Sequence, residues 1–278
     1  MLYQLIEISG NDAEEFLQGQ LTQDVARLAE AISLPAAWCN AKGRVIATIR
    51  LLRLGDAIGL AVSPSLADVI MQRLAMYRLR ADVNIAAANA NWTSAAVSSN
   101  EALAELERVG LLPAANSACA AAGLIAVDVS VADRYVEIFG NRDAFEKAGI
   151  SFEHSLSDAE HAALRIRAGH VEINAENSEK YTPHMLNLDQ IGAISFEKGC
   201  YTGQEVVART EHRGESKRRL ARYRCDAGDV AIGDRLCDDE REVATVVNVQ
   251  RPELLAVTPV ALHGKSLRFR DVSAIPLK

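Results

Sequence analysis

The chain has 278 residues, 49 % hydrophobic and 24 % charged, with a net charge of −7 and a pI near 5.5. This is the composition of a globular protein able to bury a substantial core, and its acidic balance excludes a strongly basic nucleic-acid binder. It has no apolar run of about 18 residues, which excludes a transmembrane helix, and the early acids Glu7, Asp12, Glu14 and Glu15 do not suit a secretory or transit peptide, so a cytoplasmic location is expected.

Residues 3–8 alternate weakly and predict a strand. Asn11 then precedes a helix, AEEFLQGQL, whose first-turn acids suit the helix dipole. Residues 36–39 and 44–52 are β-rich around Asn40-Ala41-Lys42-Gly43, a hairpin signal. A strand at 57–62, a helix at 64–78 with Pro64 just inside its start, and a strand at 81–87 follow. This order is ferredoxin-like. A second pass repeats it more loosely: a strand at 91–98, a helix at 100–109, a hairpin about Asp133, a helix from Asn141 and a closing strand at 150–154. Ser157 and Glu160 form a capping-box signal for a helix at 157–168. After Gly214, short β-rich runs at 218–225, 242–249, 253–260 and 266–270 predict a small antiparallel barrel. The expected division is 1–90 (ferredoxin-like α+β), 91–212 (second α+β unit) and 213–278 (barrel).

The cysteines are Cys39, Cys119, Cys200, Cys225 and Cys237, widely spaced and without a C-x-x-C pair. That argues against a disulfide framework and against a self-contained metal or cluster site. The densest chemistry lies in Lys198-Gly199-Cys200-Tyr201-Thr202-Gly203-Gln204-Glu205. A thiol near a Lys can be a reactive thiolate, or the segment can be a tight turn with an inert Cys. No spacing rule supplies Cys200 with a base, so a Cys–His hydrolase is not expected. Glu205 and Arg209 have the i, i+4 spacing of an ion pair. Arg209, Arg213, Lys217, Arg218, Arg219, Arg222 and Arg224 form a basic stretch, either a solvated strand edge or an anion site.

The 198–205 segment resembles the KGC-(F/Y)-x-GQE signature of the YgfZ family, folate-binding proteins related to the aminomethyltransferase (T-protein) of the glycine cleavage system. Residues 8–53 and 164–209 resemble that family's N-terminal and central blocks, while 90–160 and the last ~60 residues fit in length and pattern only. The resemblance implies an α+β, T-protein-like folate-binding fold with ferredoxin-like units and a C-terminal β-barrel. It implies tetrahydrofolate or a related reduced folate as cofactor, and iron–sulfur proteins or assembly factors as partners, with only an indirect link to tRNA modification. Cys200 and Lys198 are the implied chemical pair. Tyr3, Arg44, His161, Tyr201, Gln204 and Glu205 are the implied folate contacts, Tyr3 and His161 standing where some members place Trp.

Two positions depart from the related transferase. Its acids after the first hairpin stand here as Ala47 and Thr48, which offer no charge to a developing cation. Many relatives carry an acid in the run that here reads Leu164-Arg165-Ile166-Arg167-Ala168-Gly169, and Arg167 takes its place. A pterin edge with two adjacent donors suits a carboxylate, and Glu172 and Glu176 are alternatives for that contact. The function expected is a folate-binding accessory factor acting through Cys200. The alternatives are a tetrahydrofolate-dependent one-carbon transferase and a non-catalytic interaction module using the basic stretch.

Overall fold

The first strand sets the plan of the molecule. In β1 (Gln4–Ser9), Leu5 faces one way and Ile6 and Ile8 the other, and all three are buried. A strand buried on both faces sits between two layers. The structure is a computed structural model that describes every residue except Met1, Ala132, Arg213, Glu215 and Lys278. After β1 come α1 (Ala13–Gln18), α2 (Leu28–Ala31), β2 (Ser33–Cys39), β3 (Val45–Leu54), β4 (Ala57–Val62), α3 (Ala67–Tyr77) and β5 (Asn84–Ala87). They build an antiparallel sheet in the order β2-β3-β4-β1-β5. Its β3-β4-β1-β5 part is the ferredoxin-like order, and β2 is an added edge strand.

The second unit contains β6 (Trp92–Val97), α4 (Asn100–Arg108), β7 (Ala118–Ala121), β8 (Leu124–Asp128), β9 (Val136–Asn141) and α5 (Arg142–Ala148). Its sheet runs β6-β9-β8-β7, which repeats β1-β4-β3-β2 of the first. The strand expected at 150–154 is not formed. Ser151 Oγ accepts from Glu153 N at 3.1 Å and caps a 3-10 turn at Phe152–His154. A lone hydrogen bond, Leu156 N to Ala96 O at 2.7 Å, touches the edge where that strand would lie. Local capping by Ser competes with the ladder, and here it wins.

The capping box at Ser157 opens α6 (Asp158–Arg167), with Glu160 Oε2 accepting from Ser157 N at 2.8 Å. Turns follow up to α7 (Gln204–His212). The chain ends in a closed six-stranded barrel. Its strands are β10 (Arg218–Cys225), β11 (Arg235–Asp238), β12 (Arg241–Gln250), β13 (Glu253–Pro259), β14 (Leu267–Phe269) and β15 (Val272–Leu277). Four of these match the β-rich runs of the sequence. β11 and β15 do not, because β11 is four residues long and β15 carries Pro276 and mostly unburied side chains. Pairing of β15 with β10 closes the barrel and removes a free edge.

The two sheets pack face to face. Tyr3, Leu5, Leu52 and Ala61 of the first meet Trp92, Ile125, Val127, Tyr135 and Phe139 of the second. The first sheet's other face packs on α1, α3 and residues from 166–207, joined by Leu220, Val247, Leu255 and Val257 of the barrel. Each fully buried aliphatic side chain here contributes about 1.5–3 kcal/mol. Among the described residues no helix is long and apolar enough to cross a membrane.

Candidate functional site

A cavity of about 410 Å³ opens at one end of the seam between the sheets. Tyr3, Thr48 and Arg50 line it from the first sheet, Glu137 from β9, Arg165 from α6, and His170 and Glu172 from the segment after α6. Strand alternation explains the first four. Tyr3 and Glu137 keep the inward phase of Leu5 and of Tyr135 and Phe139, and Arg50 that of Leu52.

Tyr3, Glu137 and His161 are buried, at 6 %, 2 % and 4 % exposure. Glu137 Oε1 accepts from the Tyr3 hydroxyl at 2.7 Å and pairs with His161 Nε2 at 2.9 Å. Arg165 hydrogen-bonds the Tyr3 hydroxyl, stands 4.0 Å from Glu137 Oε1, and donates to Val171 O at 3.2 Å. Burial works against the Glu137 charge, but the His161 hydrogen bond and the charges of His161, Arg50 and Arg165 hold its carboxyl well below the usual range. Burial raises the Tyr3 phenol, keeping it a donor. Burial also lowers His170 to about 4, helped by Arg165 and Arg50, so it is neutral near pH 7. Glu137 Oε2 and Arg165 Nε are buried without a hydrogen-bond partner among the described residues. Such atoms are costly and uncommon.

The residues singled out in the sequence go to two places. Tyr3 lines the cavity. His161 does not, and instead stands against Glu137, with its ring centroid 5.9 Å from that of Tyr3 in an edge-on arrangement. Arg44 is not at the cavity. It begins the strand side of the hairpin and donates to Lys180 O at 2.9 Å. Arg50 lies six residues along, roughly 20 Å at strand rise, and is the arginine of β3 that lines the cavity.

Lys198, Cys200, Tyr201, Gln204 and Glu205 also lie outside the cavity lining. Lys198 Nζ donates to Gln18 O, Leu21 O and Gln23 O at 2.7, 2.7 and 2.9 Å. An ammonium has three donors, so none is left for the Cys200 thiol. Lys198, expected from its proximity in sequence to activate Cys200, is held by an anchoring contact and has no donor left for a hydrogen bond to that thiol. Burial lowers Lys198 to about 8, opposed by Asp24, so the ammonium form still prevails at neutral pH. Lys198 Nζ also sits 5.1 Å from the centre of the buried Tyr201 ring. Cys200 is exposed. Gln204 opens α7 with its N–H on Tyr201 O at 3.2 Å, and Glu205 and Arg209, expected as a pair, are both exposed.

The glycines of this segment have a packing reason. Gly203 has φ +84°, and a Cβ there would lie 2.4 Å from Asn40 O. Gly43 has φ +65°, and its Cβ would lie 2.7 Å from Val206 Cβ and 3.3 Å from Gly203 O. The first hairpin and the turn before α7 therefore interlock through two glycines, which only residues without Cβ permit.

Four cations of the basic stretch make contacts within the protein, while Arg209 and Lys217 are exposed. Arg218 donates to Val243 O and Val257 O, Arg219 binds both oxygens of Asp189 at 2.9 Å, Arg222 donates to Arg167 O, and Arg224 pairs with Asp226. Arg213 lies outside the described residues. His184, Asp189 and Glu211 bring ligand-type atoms within 4.8 Å of one another, but Asp189 is already taken by Arg219 and His184 pairs with Glu211 at 3.1 Å.

Glu137, Arg50, Arg165 and His170 are the site residues the sequence reading did not select. The signal for Glu137 was present: an acid at the inward phase of the apolar strand Tyr135–Phe139.

No protein-family model matches the chain. Over 231 residues it is 35 % identical to the tRNA-modifying protein YgfZ of Enterobacter sp. (strain 638), covering 78 % of this chain and 68 % of that one. Over 258 residues it is 33 % identical to the Edwardsiella ictaluri protein of the same name, covering 88 % and 77 %. The crystal structure of glycine cleavage system aminomethyltransferase T from Bartonella henselae superposes with a TM-score of 0.75 at 18 % identity, covering 99 % of this chain and 82 % of that one. At that identity the likeness concerns the fold alone. With a ferredoxin-like sheet, a second sheet that repeats four of its strands, a closed barrel and relatives above 30 % identity along most of its length, the chain belongs to the YgfZ family and has the aminomethyltransferase T fold.

Proposed function

We propose that this protein is a folate-binding accessory factor that supports iron–sulfur enzymes, and through them tRNA modification, with tetrahydrofolate or a related reduced folate in the seam cavity. The carrying observation is the pair of unpartnered buried atoms, Glu137 Oε2 and Arg165 Nε, on two residues that line this cavity. A cavity of this size suits a small ligand that meets a few fixed polar groups. The donor set fits a folate: a carboxylate and a guanidinium for its polar ring, with Arg50 as a further cation for a carboxylate. Bound tetrahydrofolate supplies a carrier for one-carbon units. The names of the relatives supply the link to tRNA modification.

The transferase alternative loses support at the first hairpin. Ala47 is fully buried, and Thr48 Oγ1 accepts from Ile173 N at 3.1 Å. Neither supplies charge to an iminium. The anion-site reading of 209–224 loses support as well, since Arg218, Arg219, Arg222 and Arg224 are engaged within the protein.

Calorimetric titration of the purified protein with tetrahydrofolate tests the ligand. Saturable binding that Arg50→Ala weakens is expected, and no binding at millimolar ligand defeats the reading. The role of Cys200 is tested separately. Cys200→Ser is expected to fold normally and to fail to restore iron–sulfur enzyme activity in cells lacking the protein. Full rescue removes the thiol from the mechanism.

A further inference from the structure

We infer that Glu137, on β9, is the acid that reads the amino-pyrimidinone edge of the pterin, in place of the acid absent from the Leu164–Gly169 run. This inference rests on the folate reading above.

The position held by Arg167 does not face the cavity. Its guanidinium is half in solvent and pairs with Glu253 at 3.2 Å and Asp133 at 3.4 Å. An acid is therefore needed from elsewhere, and among the described residues three carboxylates line the cavity: Asp128, Glu137 and Glu172. Both oxygens of Asp128 are in use, one accepting from Ser130 N at 3.0 Å and the other from Arg134 Nε at 3.2 Å. Glu172 is only half-buried, so water competes for its oxygens.

Glu137 differs from both. Tyr3 and His161 occupy Oε1, while Oε2 has no partner among the described residues. A buried carboxylate oxygen without a donor is a cost that a ligand N–H removes. Arg165 Nε is the complementary case, a buried donor without an acceptor. One acceptor and one donor without partners, on two residues of the same cavity lining, match the 2-amino-4-oxo edge of a pterin, which offers N–H groups next to a carbonyl. Tyr3 and His161 are then positioning residues: they fix Oε1 and leave Oε2 for the ligand. This accounts for where the structure puts them, against Glu137 rather than stacked on a ligand ring.

The test uses the full chain and three kinds of probe. Calorimetry compares tetrahydrofolate, p-aminobenzoylglutamate (the tail without the pterin), and the matched pair 6,7-dimethylpterin and 6,7-dimethyllumazine, in which a carbonyl replaces the 2-amino group. Glu137→Gln is expected to weaken tetrahydrofolate roughly tenfold to hundredfold, the range for a hydrogen bond to a charged group. It is expected to leave p-aminobenzoylglutamate unchanged. The wild-type protein is expected to prefer the pterin to the lumazine by about tenfold or more, a comparison that needs no variant to fold. Equal affinity for pterin and lumazine, or tetrahydrofolate binding to a folded Glu137→Gln within twofold of wild type, overturns the assignment and leaves the folate reading intact. Absence of tetrahydrofolate binding to the wild type overturns both.

Discussion

The 198–205 segment and the seam cavity use polar residues in opposite ways. In the segment, polar and special residues are consumed by the fold. Lys198 spends three donors on three carbonyls, and Gly203 exists so that Asn40 O can approach. In the cavity, buried polar atoms are left over, and Glu137 Oε2 and Arg165 Nε have no partner among the described residues. A dense motif thus marks a joint between distant parts of the chain. Buried polar atoms without a partner also occur elsewhere among the described residues, as at Trp38, Trp92 and Ser33, but in the cavity an acceptor and a donor of this kind sit on residues that line open space. At the joint the thiol of Cys200 remains exposed.

The sharpest way to break this contrast is at the joint. Gly203→Ala must place a methyl group 2.4 Å from a backbone oxygen at φ +84°. Backbone strain and overpacking together are expected to cost about 3–5 kcal/mol, measured by urea denaturation. A loss below about 1 kcal/mol would show that the hairpin and the turn are not locked. Next is Lys198→Met, which keeps the aliphatic stem and leaves three carbonyls without their donor. A loss of about 2–4 kcal/mol is expected. Wild-type stability would mean that those carbonyls find water and that Lys198 is free for other chemistry.

The sequence carried the joint and the framework better than the cavity. Alternation in β1, the β-rich hairpin runs of β3 and β9 and the Ser157 capping box are local signals, and each produced its element. The strand expected at 150–154 failed because Ser151 offers a cap that periodicity does not register. Likewise, nearness in sequence made Lys198 a partner for Cys200. Yet its carbonyl partners come from residues 18–23, some 175–180 positions away. Arg50 was passed over for Arg44 because a motif draws attention to its own residues, while the cavity draws on whichever inward-phase positions reach the seam. Glu137 was legible in principle, since an acid in phase with Tyr135 and Phe139 has to be buried.

A smaller effect tests the cavity's charge. His170 is held to about 4 by burial and by Arg165 and Arg50, against an ordinary value near 6.5. Between pH 6.5 and 4 the unfolded chain takes up this proton and the folded one does not. Stability therefore falls as pH is lowered through that window and is constant, for this group, above it. His170 is only half-buried, so the loss is expected to be about 1–2 kcal/mol. His170→Gln should flatten denaturation midpoints between pH 6.5 and 4 by that amount. An unchanged pH profile would mean that His170 is neither desolvated nor held down by Arg165 and Arg50.

The smallest stability effect expected is also the one that separates the two regions most cleanly. Cys200 is exposed while its neighbours Lys198 and Tyr201 are buried, so replacing its sulfur by oxygen disturbs no packing. Cys200→Ser should change unfolding free energy by less than about 0.5 kcal/mol. A loss above about 1 kcal/mol would make the thiol one more piece of the joint. A neutral stability result combined with lost rescue would instead mark Cys200 as a residue that the fold does not need, so that any constraint on it comes from function.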